Sequence, residues 1–431
     1  MKKNLVILFI LVSLVIDLIA QKKESEDTKS LINGLWFSNN AFKVNRIIKG
    51  IEKLNPDYES LKKIIEDQIK FPANADKGFI EWEYTLDSLD YYCMLFIPSN
   101  YDCTKKYPVT FILHGAIAND NPKSVNTYIT SKSYNTDSLD RIIVYPASWV
   151  QSLWWEDKQV KNLDYIIRRL KQSYNIDENN IHLAGISDGG SGCYYLANKN
   201  ITPWASIRPY IGSPFVAMEY GNQPIFLKNF SNKSFFIVNT EHDRLYPSSS
   251  MNPLINQIKQ NGVDLNYFAM KGFEHNIKWL PLLEDTIKTF IKKNPRNSYP
   301  SKLYWQTNNS KDFGRIHWVS INKLSSSSKP VEINSLNEVL LPFGNGKNNP
   351  SGYLVVKVEG NTIMVETNNV KEYTLLISTD QFDFSQPIKV YTNNILSFDG
   401  KLEKRVDILL KWLSKDLDRT MLFGNELKIK L

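Results

Sequence analysis

From Gly78 the chain takes on a period-two rhythm, with Ile80, Trp82 and Tyr84 alternating with Glu81 and Glu83. That is the pattern of a half-buried strand, and a second strand is expected at about 91–97. Short apolar runs at 109–113, 142–145, 181–186, 235–238 and 265–270 read as buried strands. Between them Val160, Leu163, Ile166, Ile167, Leu170 and Tyr174 make one helical face. Residues 189–198 read as a second helix. A closing helix is expected at 281–293, with Pro281 suited to its first turn. Strands alternating with helices of this length predict an α/β domain over 78–296, a mainly parallel sheet flanked by helices.

The flanks read differently. Leu61, Ile64, Ile65 and Ile69 recur at helical spacing behind Asp57, a suitable N-cap. They predict N-terminal helices in 21–77, after a charged leader, that pack on the main domain. After Asn294-Pro295 the pattern returns to short alternating strands, at 303–306, 353–358 and 362–366, with Glu359-Gly360-Asn361 as a turn. A loop at 325–328, a late helix at 406–413 and a final strand at 426–429 complete a smaller, mostly β domain over 297–431.

Residues 1–20 change the picture of where the protein works. Lys2 and Lys3 precede an apolar run from Leu5 to Ile16, which ends near Ala20 and Gln21. This is the order of a secretory signal peptide. The competing reading is an uncleaved anchor, but the run falls short of the ~20 residues needed to span a bilayer. A secreted or periplasmic protein is expected, with no stable membrane insertion after cleavage. Export permits disulfides, and of Cys93, Cys103 and Cys193 the first two could close a short loop. Cys193 falls within a helix and reads as a small core hydrophobe. The net charge of +7 over 431 residues is spread along the chain. It forms no basic, aromatic-interleaved stripe of the kind nucleic acid requires.

The candidate chemistry centres on Gly185-Ile186-Ser187-Asp188-Gly189, a Gly-x-Ser-x-Gly between an apolar strand and a helix. A serine on such a turn has a strained backbone and an exposed Oγ, and the flanking glycines let the turn close. Its hydroxyl needs a base, and the chain has five histidines. His114 suits an oxyanion loop, His182 lies in the strand before the serine, His242 adjoins a candidate acid and His317 is C-terminal. His275 remains, directly after the last strand. The acid should follow the preceding strand. Asp243, shortly before Tyr246-Pro247, is favoured there, with Glu241 as its rival. The order Ser187, Asp243, His275 is that of one fold's catalytic triads. Backbone N–H groups of Asp188 and Ala116 are the expected oxyanion donors. Trp149, Trp154 and Trp155, after the strand at 142–145, either stack on substrate or cover that end of the sheet.

On Pro108 to Gly115, Asn175-Ile176-Asp177 through Gly190, Asp243 to Pro247 and His275, the chain resembles secreted α/β-hydrolases. These are of the polyhydroxybutyrate depolymerase and feruloyl esterase type, related to prolyl-oligopeptidase-like "predicted peptidases". Asp188 stands where many of them carry methionine or another residue, a variation that does not touch the triad. The C-terminal region more loosely resembles the β domain that follows such hydrolases in Bacteroidetes-like bacteria. The resemblance implies export and a small-molecule or polymeric ester as substrate, including polysaccharide side-chain esters. A serine esterase is therefore expected. A serine peptidase with the same triad and an inactive binding protein are the alternatives. No zinc-ligand spacing or dinucleotide fingerprint occurs, and Gly344-Asn345-Gly346-Lys347 lacks the flanks of a phosphate loop. No metal or cofactor is expected.

Overall fold

A computed structural model describes residues 25–127, 129, 135–325, 338–341 and 350–431. The expected signal segment, most of the 325–328 loop and Gly344 to Lys347 lie outside them. The centre is an eight-stranded sheet: β1 (Gly78–Leu86), β2 (Leu89–Ile97), β3 (Tyr107–Leu113), β4 (Ile142–Pro146), β5 (Ile176–Ile186), β6 (Ser206–Tyr210), β7 (Ser234–Thr240) and β8 (Leu265–Met270). The spatial order is β1-β2-β4-β3-β5-β6-β7-β8. β2 runs antiparallel to both neighbours, and the pairs from β4 to β8 are parallel. This is the α/β-hydrolase fold. The sequence pattern does not reveal β6, because Ser206, Arg208 and Pro209 interrupt its apolar rhythm.

Besides a helical run at 25–36 and the single turn Ser310–Phe313, the helices in chain order are α1 (Ala41–Leu54), α2 (Tyr58–Asp67), α3 (Asp157–Ser173), α4 (Asp188–Lys199), α5 (Pro214–Gly221), α6 (Ser248–Gln260), α7 (Leu280–Lys293) and α8 (Val406–Asp416). Both sheet faces are covered, and strand alternation assigns the partners. Phe235 and Ile237 of β7 join the core that includes α3, α4 and α6. Phe236 and Val238, on the opposite face, pack with Trp279, Leu283, Ile287 and Phe290 at α7.

The N-terminal segment touches the main domain through Trp36, whose Nε1 donates to the Lys171 carbonyl at 2.7 Å and whose carbonyl accepts from the Gln172 amide at 2.9 Å, and it also packs on the C-terminal helix. Asp57 does cap α2, its carboxylate accepting from the Ser60 N–H at 2.9 Å. Ile47, Ile51, Leu61 and Ile65 share one buried cluster with Ile32, Leu35 and Trp36 and with Leu409, Leu410 and Leu413 of α8. Amphipathicity identifies an apolar face but not what will cover it.

In the C-terminal region a five-stranded sheet (Lys302–Thr307, Gly352–Glu359, Thr362–Asn368, Ile388–Thr392, Ile395–Gly400) lies beside a four-stranded one. Their apolar residues, Trp305, Leu354, Val356, Trp318 and Leu375 among them, belong to the same contiguous core as Phe111 and Leu183 of the central sheet. Cys93, Cys103 and Cys193 are free thiols, so the Cys93–Cys103 pair is not formed. Cys93 and Cys193 are fully buried in β2 and α4.

Candidate active site

Ser187 sits between β5 and α4 with φ 58° and ψ −116°. A side chain other than glycine rarely adopts this left-handed region, and the strain points to function. Neighbouring contacts hold it there. Its N–H donates to the Tyr210 carbonyl at 3.0 Å, and its own carbonyl accepts from the Ser191 N–H at 2.9 Å. The flanking glycines are required by close approach. A Cβ on Gly185 would lie 2.1 Å from the Gly189 oxygen, and one on Gly189 would lie 2.1 Å from the Leu113 oxygen. The helix can therefore start directly against β3 and β5 only because both positions lack a side chain.

Ser187 Oγ lies 2.8 Å from His275 Nε2, and His275 Nδ1 lies 2.8 Å from Asp243 Oδ2. The other oxygen of Asp243 accepts the backbone N–H groups of Leu245 and Tyr246, at 2.8 and 2.9 Å. The Asp243 side chain is fully buried, whereas that of His275 is about a quarter exposed. Glu241 points elsewhere: its carboxylate accepts from the Gly272 N–H at 2.9 Å and is nearly half exposed. Asp243, not Glu241, thus meets the imidazole. The Thr240 hydroxyl, donating to the Glu274 carbonyl at 2.9 Å, braces the loop that carries His275. Tyr246 packs edge-on to the imidazole.

The 114–117 loop closes over the serine. A Cβ on Gly115 would stand 2.9 Å from the Ser187 Cβ, and Ala116 takes φ 53°. Among the described residues no protein acceptor takes the backbone N–H of Asp188 or Ala116. The Asp188 carboxylate itself accepts from the Ile117 N–H at 3.2 Å, joining the helix start to this loop. His114 is a buried brace. The Ser148 N–H donates to its Nε2 at 3.0 Å, so Nδ1 carries the proton and donates to the Gly115 carbonyl at 2.8 Å. Burial pushes its pKa down, which keeps the ring neutral. Sequence pattern alone exposes neither the Asp188–Ile117 tie nor the His114–Ser148 tie, since both join segments distant along the chain.

The tryptophans resolve toward cover. Trp149 and Trp154 are essentially inaccessible, and Trp154 Nε1 donates to the His114 carbonyl at 2.9 Å. Trp155 is buried with exposed Tyr220 against it. Rings this enclosed offer little face to a ligand, so of the two roles open to Trp149, Trp154 and Trp155 their burial favours cover of that end of the sheet over stacking on substrate. The remaining histidines lie apart from this hydrogen-bonded chain. His182 pairs with the Ser206 hydroxyl, His317 with Lys233, and His242 is exposed near Glu241.

No protein family matches the chain. A bifunctional acetylxylan esterase/xylanase of Neocallimastix patriciarum is 25% identical over 134 residues, 30% of this chain. The chain spans only 19% of that relative's length. Among solved structures, a thermostable esterase has TM-score 0.43 at 20% identity, covering 51% of this chain and 63% of its own. The feruloyl esterase module from Clostridium thermocellum, complexed with sinapinate, has TM-score 0.40 at 14% identity, covering 53% and 93%. A dipeptidyl aminopeptidase IV from Bacteroides ovatus has TM-score 0.39 at 16% identity, covering 53% and 36%. Among the described residues no helix is long and apolar enough to cross a membrane.

Proposed function

We propose that the chain is a secreted serine hydrolase that cleaves carboxylic esters through an acyl-enzyme. Residues 78–296 would carry the chemistry, behind a signal peptide at 1–20. The observation that carries this reading is the continuous hydrogen-bonded chain Ser187–His275–Asp243, with the serine on a strained strand-to-helix turn.

In this reading His275 Nε2 takes the hydroxyl proton as Ser187 Oγ forms a bond to the ester carbonyl carbon. The carbonyl electron pair moves onto oxygen, where the N–H groups of Asp188 and Ala116 receive it. Collapse restores the carbonyl and breaks the bond to the alcohol, which leaves with the proton from His275. Water then repeats the sequence on the acyl-enzyme and releases the acid. Asp243 holds His275 in the tautomer with Nδ1 protonated and stabilises the imidazolium. None of these steps calls on a cofactor. The acetylxylan esterase/xylanase relative supports acyl groups on a polysaccharide as the substrate class.

A fluorophosphonate probe should label the purified protein. Labelling should vanish in Ser187→Ala and persist in Ser250→Ala, which alters an exposed hydroxyl. Turnover of p-nitrophenyl acetate, methyl ferulate, acetylated xylan and short peptide amides then sets the class. Amide cleavage with negligible ester turnover would overturn the esterase reading.

A further inference from the structure

A cavity of about 560 Å³ lies between α3 and the C-terminal region, bounded also by the end of α4. It lies away from the proposed nucleophile. α4 begins next to Ser187 and reaches the cavity at Lys199, its twelfth residue, about 18 Å along the helix axis. The volume is in the range of small-ligand sites.

Its lining among the described residues holds eight Lys and Arg against four Asp. Internal pairing uses up only part of that charge. Arg315 clamps Asp416 with two bonds of 2.7 and 2.6 Å. Asp418 is taken by Arg296 at 2.8 Å and Lys171 at 3.5 Å. Four cations have no carboxylate within ion-pair distance among the described residues: Arg168, Lys199, Lys311 and Lys415. Arg168 donates only to the carbonyls of Ser414 and Lys415.

Lys199 is the informative one. It is only 4% exposed. Its ammonium has one long hydrogen bond, 3.4 Å to Gln223 Oε1, and lies over the rings of Tyr195 and Phe313. Burying an ammonium without a counter-ion is costly, and burial drives its pKa down. A bound anion would remove that penalty. Groups suited to hydroxyls stand beside these cations. Asn200 donates to Asp164 at 2.8 Å, and both line the cavity with Thr202. Asp164 lines the cavity with its carboxylate exposed to solvent and to any ligand there.

From this geometry we infer that the cavity is a second binding site, for an anionic sugar: a saccharide unit bearing a carboxylate or phosphate. The cations face the acid group, and Asp164, Asn200 and Thr202 face the ring hydroxyls. A concave site with surplus positive charge also concentrates such ligands.

The test is calorimetric titration of the full chain carrying Ser187→Ala, which prevents turnover without touching the cavity. The probes are digalacturonate, glucose 6-phosphate, inorganic phosphate and xylobiose. At least one anionic sugar should bind one to one with Kd at or below about 1 mM, weakening as salt rises. Affinity should fall at least about tenfold in Lys199→Gln and in Lys415→Gln. Lys415 is exposed, so its variant tests the charge without risk to the core. Xylobiose should not bind. Failure of both anionic sugars to bind overturns the inference, as does binding undiminished in both variants. Inorganic phosphate as tight as glucose 6-phosphate, with no uronate binding, would reduce the cavity to a simple anion patch and overturn the sugar assignment.

Discussion

Two carboxylates lie two residues apart after β7, and only their surroundings separate them. Asp243 is fully buried, accepts two backbone N–H groups and reaches His275, whereas Glu241 is turned out to the Gly272 N–H. Asp243→Asn should leave the fold intact and lower kcat about 10³–10⁴-fold, because the neutral amide favours the wrong imidazole tautomer. Glu241→Gln should change kcat by less than about threefold, since the amide oxygen can still accept the Gly272 N–H and the side chain is turned away from His275. Steady-state kinetics on p-nitrophenyl acetate compares the two. Equal losses would mean that the second carboxylate also governs His275.

At the scale of elements, the strand-turn-helix unit depends on backbone contact between α4 and β3. Gly189→Ala would drive a methyl into the Leu113 carbonyl, 2.1 Å away, with no flexible side chain to yield. The expected cost is about 3 kcal/mol or more, with loss of probe labelling. Gly262→Ala is the contrasting case. That glycine has φ +77° but open space around it, so only the backbone penalty of about 1–2 kcal/mol applies. Urea unfolding of the two variants measures the difference. The same local chemistry explains why this unit is legible in sequence. Apolar strand, small residues and nucleophile are contiguous from Ile181 to Gly190. β6 and the long-range brace of His114 against Ser148 are not, because each depends on partners brought in from elsewhere.

For the whole molecule, the C-terminal region shares its core with the central sheet and is also tied to it by buried charge. Arg419 bonds Glu178 at 2.6 and 2.9 Å, Asn175 at 2.8 Å and the Ile176 carbonyl at 2.6 Å, with both charged side chains almost fully buried. Arg419→Ala would leave Glu178 uncompensated and should cost about 3–5 kcal/mol in denaturant unfolding. Unchanged stability would show that the tie is dispensable. Acid should act on the whole fold through His182, which is buried in β5 and has its pKa lowered to about 3, chiefly by desolvation and then by Arg208. The folded state holds this imidazole neutral. Its contribution is therefore complete above about pH 6.5, the value for a free histidine, and is lost as pH falls toward 3. Over that window this one group should lower stability by about 1.4 kcal/mol per pH unit, and His182→Asn should flatten the slope. Chemical denaturation at stepped pH reads it directly.

Apolar periodicity and one contiguous motif were enough to determine the α/β class, most central strands, the strained serine turn and a short choice of histidine and acid. These follow from near neighbours along the chain, whose geometry is set by backbone sterics and side-chain period. The tertiary structure alone decided which carboxylate meets His275 and that the tryptophans are core. It also decided that the first helices lean on α8, and that unpaired cations from α3, α4 and the C-terminal region line one cavity. Each of those outcomes depends on which distant segment arrives to bury or pair a group, and sequence spacing carries no record of that.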